Sequence, residues 1–199
     1  MKFSAPLRRF AGAIAVILGL VFAATAVAPV AAQDKEKDKP KASQPVLVTS
    51  LGQSLDAFQV QLAVRRARIK FKYDPHAEVD QLDGVKTLFL AVGASLKGFG
   101  DAGITIKDEL ARAGHLLDAA KSRGILIVVL HMGGEDRRDA LSNQLIELTA
   151  PRAQQLIIRD DSDADGLFAK IAKDNKIPLA TIDAVTSLKQ PLQEMFAGS

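Results

Sequence analysis

Two stretches, Thr87 to Val92 (TLFLAV) and Ile125 to Leu130 (ILIVVL), are apolar with no polar alternation, and each runs into a turn rich in small residues. Such runs suit strands covered on both faces, which belong mostly to parallel sheets with helices on either side. Pro45 to Ser50 reads as an earlier strand, Gln155 to Arg159 as a later one, and Pro178 to Ile182 as a short last one, where a leading proline is tolerated. Arg68 to Tyr73 alternates apolar and basic residues, as expected of an edge strand with one wet face.

Helical spacing fills the intervals. Leu55, Phe58 and Leu62 predict one apolar face through Arg66. A short helix is expected from Ala77 to Leu82. Ile106, Leu110, Ala113, Leu117 and Ala120 mark a long helix ended by Gly124, and Leu141, Leu145 and Leu148 mark one closed by Pro151. Asp163 to Asn175 and residues 184–197 complete the set, with Pro191 starting or kinking the final piece. This alternation predicts an α/β domain, a flavodoxin-like (Rossmann-like) three-layer sandwich on a parallel five- or six-stranded sheet. The expected order is 2-1-3-4-5, with the last strand added at the far edge.

The first 32 residues change the picture of charge and compartment. Lys2, Arg8 and Arg9 precede an apolar stretch from Phe10 to Ala24, and Val30-Ala31-Ala32 offers small residues for cleavage before Gln33, with Ala28 as the second choice. This reads as a secretory signal peptide, since the apolar core is shorter than the roughly 20 residues a membrane span needs. Export to the periplasm or secretion follows, with no membrane attachment once the signal is removed. The leader holds three of the 26 basic residues and none of the 23 acidic ones, so the remainder carries 23 of each. A balanced chain without a basic, aromatic-interleaved run gives nucleic acid no footprint. The absence of cysteine excludes thiolate chemistry and disulfides. Residues 33–44, which include the charge run Asp34 to Lys41, read as a disordered linker, leaving 45–199 as a single domain.

Candidate chemistry collects where strands end. Thr49 to Ser54, Gly93 to Gly98 and His131 to Arg138 follow three strands that the expected order makes neighbours, and open α/β sheets bind ligands at that edge. Ser50, Gly52, Gln53 and Ser54 would supply donors from one side, and Gly93, Ser95, Lys97 and Gly98 from the other. His131, Gly133, Gly134, Arg137 and Arg138 would close the site. Glycine lets backbone N–H groups approach a ligand, and cations beside them favour a carboxylate or phosphate. The expected function is binding of a small anionic metabolite without a cofactor, in a cleft that one domain leaves open unless a homo-oligomer or a transport partner covers it. His131, His76 and His115 do not form a metal set. The alternatives are a hydrolase pairing His131 with Ser50 or Ser95, and a flavodoxin-like electron carrier, with no catalytic residue assignable from motif.

Thr49 to Ser54 resembles the phosphate loop of flavodoxins, Thr-x-Thr-Gly-x-Thr, with Leu51 at the middle threonine, and Leu82 to Leu88 resembles the approach to their third strand. The resemblance implies the fold; for flavin stacking the chain offers no Trp, one Tyr (Tyr73, on the expected edge strand) and Phe99 near the site. From Pro45 to Phe196, the GQS of Gly52 to Ser54, the GxSxKGxGxAG of Gly93 to Gly103 and the HMGGEDRR of His131 to Arg138 resemble a bacterial exported family designated a domain of unknown function. Asp136 stands where that family carries a small residue. The resemblance implies export and an α/β domain, and brings no catalytic residues with it.

Overall fold

The computed structural model describes residues 40–198; the expected signal peptide and its expected cleavage sites lie outside them. Six parallel strands, β1 (Val46–Leu51), β2 (Phe71–Tyr73), β3 (Thr87–Val92), β4 (Leu126–His131), β5 (Gln155–Arg159) and β6 (Leu179–Ile182), form one sheet in the order β2-β1-β3-β4-β5-β6. This is the expected order, with β6 added beyond β5. In β1 and β3 every residue is buried, and the register pairs Leu51 with Val92 and Ala91 with Leu130, so three central strands end together at one carboxyl edge.

The helices are α1 (Asp56–Arg66), α2 (Leu96–Ala102), α3 (Ile106–Ser122), α4 (Ala140–Thr149), α5 (Leu167–Asn175) and α6 (Lys189–Met195). Because side chains alternate across a strand, Leu47, Leu51, Leu88, Leu90, Ile127 and Val129 face one layer, where α3, α4 and α5 supply Leu117, Leu145 and Phe168. Val46, Val48, Phe89, Ala91, Val128 and Leu130 face the other, covered by α1 and α6 through Val60, Val64, Leu192 and Met195.

Several local expectations are corrected. The buried face of α1 is Asp56, Ala57, Val60, Gln61, Ala63 and Val64, whereas Leu55 and Phe58 are 73% and 47% exposed. Small side chains at 57, 60 and 63 seat this helix on the sheet, and the larger, more conspicuous residues are left outside. The wet strand is only Phe71–Tyr73, the segment before β3 is a 3-10 turn at Val79–Leu82, and α5 begins after a 3-10 turn at Asp160–Asp163. Residues 184–197 divide into a 3-10 turn, Val185–Leu188, and α6, which contains Pro191. The expected linker also ends earlier. Ala42 is buried and its N–H donates to Met195 O (2.9 Å), while Ser43 exchanges hydrogen bonds with Thr87.

Candidate functional site at the carboxyl edge

The first turn after β1 is built by contact between backbones. Gly52 has φ +108°, and a Cβ there would lie 2.3 Å from Gly93 O, so only glycine fits. Gly52 O accepts from Ser95 N (2.8 Å), Gly93 N donates to Leu51 O (2.9 Å), and Gln53 bridges Ala94. Gly98 on α2 rests on Gln53, where a Cβ would stand 2.1 Å from the Gln53 carbonyl oxygen. Ser95 caps α2 by accepting from Gly98 N (3.1 Å). Backbone donors expected to face a ligand at Gly52, Gly93 and Gly98 are thus consumed within the protein.

Beneath this turn lies a buried ion pair that sequence reading missed. Glu109, fully buried on α3, accepts from Gly52 N (2.7 Å), Gln53 Nε2 (2.9 Å) and Arg112 Nε (2.8 Å). Arg112 donates onward to Ala77 O (2.8 Å) and Ser50 O. The pair ties α3 to the end of β1 and to the segment after β2. Its only trace in sequence is two opposite charges, three residues apart, beside the apolar stripe of a long helix.

Asp56 is the second residue missed. It opens α1, is 4% exposed, and its Oδ2 accepts no hydrogen bond. Cβ atoms built on Gly93 and Gly133 would each lie 3.1 Å from that oxygen, so the carboxyl sits under two glycine backbones supplied by different strand ends. Desolvation raises its pKa above the ordinary range, against the opposing charges of His131 and Arg137 and hydrogen bonding by Ser54 and the Met132 backbone. Its backbone N–H donates to Ser54 Oγ (3.3 Å).

His131, at the end of β4, is fully buried against Phe168, with ring centroids 5.5 Å apart. Its Nδ1 lies 2.7 Å from Val92 O and its Nε2 3.3 Å from Gly134 O. The shorter contact assigns the N–H to Nδ1. Burial lowers its pKa most, with the two carbonyls and Asp56 acting the other way. Through that N–H the end of β4 is tied to the end of β3. The expected pairing of His131 with Ser50 or Ser95 does not form, because Ser50 Oγ donates to Ser54 O (3.5 Å) and Ser95 is the cap of α2. Phe99, considered for flavin stacking, is buried in the core.

The two expected arginines have different surroundings. Arg138 is enclosed: it donates to Asn143 Oδ1 (3.0 Å) and Asp165 Oδ2 (2.8 Å), reaches Ser162 O, and stacks over Phe168. Arg137 lays its stem on Gly133 and donates to Ala94 O (3.2 Å). It makes no ion pair with a carboxylate among the described residues. Gly134, at φ +65°, packs against the Arg159–Asp161 pair, and Lys97 is exposed on α2. Ser54, Gly93, His131, Gly133 and Arg137 therefore meet around Asp56, while Arg138 lies on the far side of His131 and no contact brings Lys97 to them. Among the described residues no group of three or more His, Asp or Glu is placed to hold a metal ion, and no helix is long and apolar enough to cross a membrane.

Asp56 carries a pH prediction. In the folded chain its proton is held more tightly than in the unfolded one, so its contribution to stability falls as pH rises from about 3.9 through the raised folded value, then levels off. Asp56→Asn should gain stability relative to the native protein as pH rises through that interval, because only the native side chain acquires a charge that burial penalises. Urea denaturation across that range checks it, and a difference that does not grow with pH would contradict it.

No curated protein sequence matches this chain. Two solved structures are similar: a GDSL-like lipase from Bacteroides thetaiotaomicron (TM-score 0.34, 12% identity, 73% of this chain and 69% of that one) and a putative acylhydrolase from Bacteroides fragilis (TM-score 0.35, 10% identity, 74% and 73%). Residues 43–196, nearly all of the described domain, match a family profile, and the chain belongs to the family described as Domain of unknown function (DUF6305).

Proposed function

We propose that this domain binds a small anion, a carboxylate or phosphate metabolite, at the carboxyl edge of the sheet, and that it does so in the periplasm or outside the cell after removal of its signal peptide. The observation that carries the reading is Arg137. It stands where three strand ends meet, its guanidinium has one carbonyl partner, and it forms no direct ion pair among the described residues, the buried Asp56 carboxyl being the acid that feels its charge. Arg138 and Arg159 beside it are both paired. Lys97 would add a solvent-exposed charge from α2.

Calorimetric titration with inorganic phosphate and with acetate tests this. Arg137→Ala should weaken binding by about tenfold or more, as expected for losing a charged hydrogen bond. Lys97→Ala should weaken it less. Binding that is unchanged in Arg137→Ala would remove the reading.

A further inference from the structure

The 23 acids and 23 bases outside the leader balance, but they are not evenly mixed. Arg65, Arg66, Arg68, Lys70 and Lys72 put five bases within eight residues, and no acid occurs between Asp56 and Asp74. All five are exposed, and none forms an ion pair among the described residues. The edge position of β2 accounts for a lysine there, since charge on an outer strand discourages pairing with another chain. The dipole of α1 accounts for Arg65 and Arg66 in its last turn. Neither accounts for Arg68 in the turn between them, or for the absence of any acid to pair with the group.

The fold gathers these bases at the amino edge of the sheet, opposite the strand-end loops. Helix α1 starts beside the end of β1 and runs back, so the turn that closes it (Arg68 N to Arg65 O, 3.0 Å) lies at the start of β2. Phe71 and Thr87 both pair with Val46, from the two sides of β1. Lys70 and Lys86, which precede them, therefore stand on either side of Pro45, two strand spacings or roughly 10 Å apart. Backbone hydrogen bonds hold that arrangement: Val46 N donates to Lys70 O (3.0 Å) and Lys86 N to Pro45 O (3.0 Å). Lys86 is also exposed, and Asp83 near it is already paired with Arg123. The chain enters the domain through the middle of this group, past the exposed Lys41 and then Gln44, whose Oε1 accepts from Lys70 N (2.7 Å).

We infer that this basic edge is a docking surface for a membrane carrying anionic phospholipid headgroups. Charge complementarity with the headgroup phosphodiesters supplies the attraction, at about fivefold in affinity per base near such a surface. A lipid surface is favoured over other polyanions by where the chain enters the domain. The expected leader, with its apolar stretch from Phe10 to Ala24, precedes Lys41 in the chain, so this edge is the one nearest the membrane that an exported chain crosses. The attachment is by charge alone, because the exposed large apolar side chains among the described residues, Leu55, Phe58 and Leu96, belong to the starts of α1 and α2 at the opposite edge.

Vesicle sedimentation of the chain from Gln33 onward tests this, with vesicles of phosphatidylglycerol and phosphatidylcholine in equal parts set against phosphatidylcholine alone. Binding is expected only to the anionic vesicles at low salt, and its loss at about 0.5 M salt, where exposed charges are screened within a few ångströms. Lys70→Gln with Lys72→Gln should weaken it roughly twentyfold. Arg65→Gln with Arg66→Gln, which leaves the edge strand guarded, should act alike. Lys107→Gln with Lys189→Gln removes the same charge from exposed positions at the starts of α3 and α6 and should have little effect. No binding to anionic vesicles, equal binding to both kinds, equal loss in all three pairs, or tighter retention by duplex DNA than by the vesicles would each overturn the inference. Arg137→Ala should bind vesicles as the native chain does, and loss there would place the headgroup phosphate at the carboxyl edge instead.

Discussion

Glu109→Ala is expected to destabilise the domain by about 3–5 kcal/mol, the usual result of removing one member of a buried ion pair. The loss has two parts in this fold. Arg112 keeps its charge with only carbonyls left around it, and Gly52 N and Gln53 Nε2 lose their acceptor. Arg112→Met in the same background should therefore cost less than it does alone, because the two residues serve one network. Urea denaturation of the native, single and double variants measures this. A loss below about 1 kcal/mol for Glu109→Ala would be the behaviour of an exposed pair, and would contradict the view that this pair holds the turn after β1.

The second large effect is expected at Gly52. An alanine there would need a left-handed φ of +108° and would drive its Cβ to 2.3 Å from Gly93 O, a backbone atom with no freedom to turn aside. Gly52→Ala should destabilise by at least about 4 kcal/mol, in the range of severe lesions, or prevent folding. Gly100→Ala is the matched comparison. That glycine lies inside α2 with nothing within 4 Å of a Cβ, so alanine should be neutral or stabilising by up to about 1 kcal/mol. Similar thermal unfolding of the two variants would mean that Gly52 is an ordinary turn residue.

The sheet was legible because its central strands are covered on both faces. Thr87–Val92 and Leu126–His131 leave near-continuous apolar runs of strand length, too short for a buried helix and each followed closely by glycine. The loops after them were legible as a group for the same reason: strands that neighbour one another end at one edge. What the glycines do there was not. Gly52 and Gly98 permit contact between backbones, and Gly93 and Gly133 leave room for Asp56, facts that depend on atoms far away in sequence. Leu55 and Phe58 misled because bulk is easier to see than fit; the face of α1 that meets the sheet is built from Ala57, Val60 and Ala63. Asp56 itself has the sequence appearance of an ordinary acid in a first helical turn. Glu109 and Arg112 look like the wet edge of α3, until the register of β1 brings Ser50 O and Gly52 N above them.

The central claim is that three strand ends close around Asp56 to form an edge that binds an anion through Arg137. Backbone amide NMR with inorganic phosphate tests it most directly, because each residue reports for itself. The account predicts saturable shifts confined to Ser54 through Asp56, Gly93 through Ser95 and Gly133 through Arg137, and their loss in Arg137→Ala. Shifts scattered over exposed lysines such as Lys97 and Lys107, growing linearly with phosphate and persisting in Arg137→Ala, would contradict it.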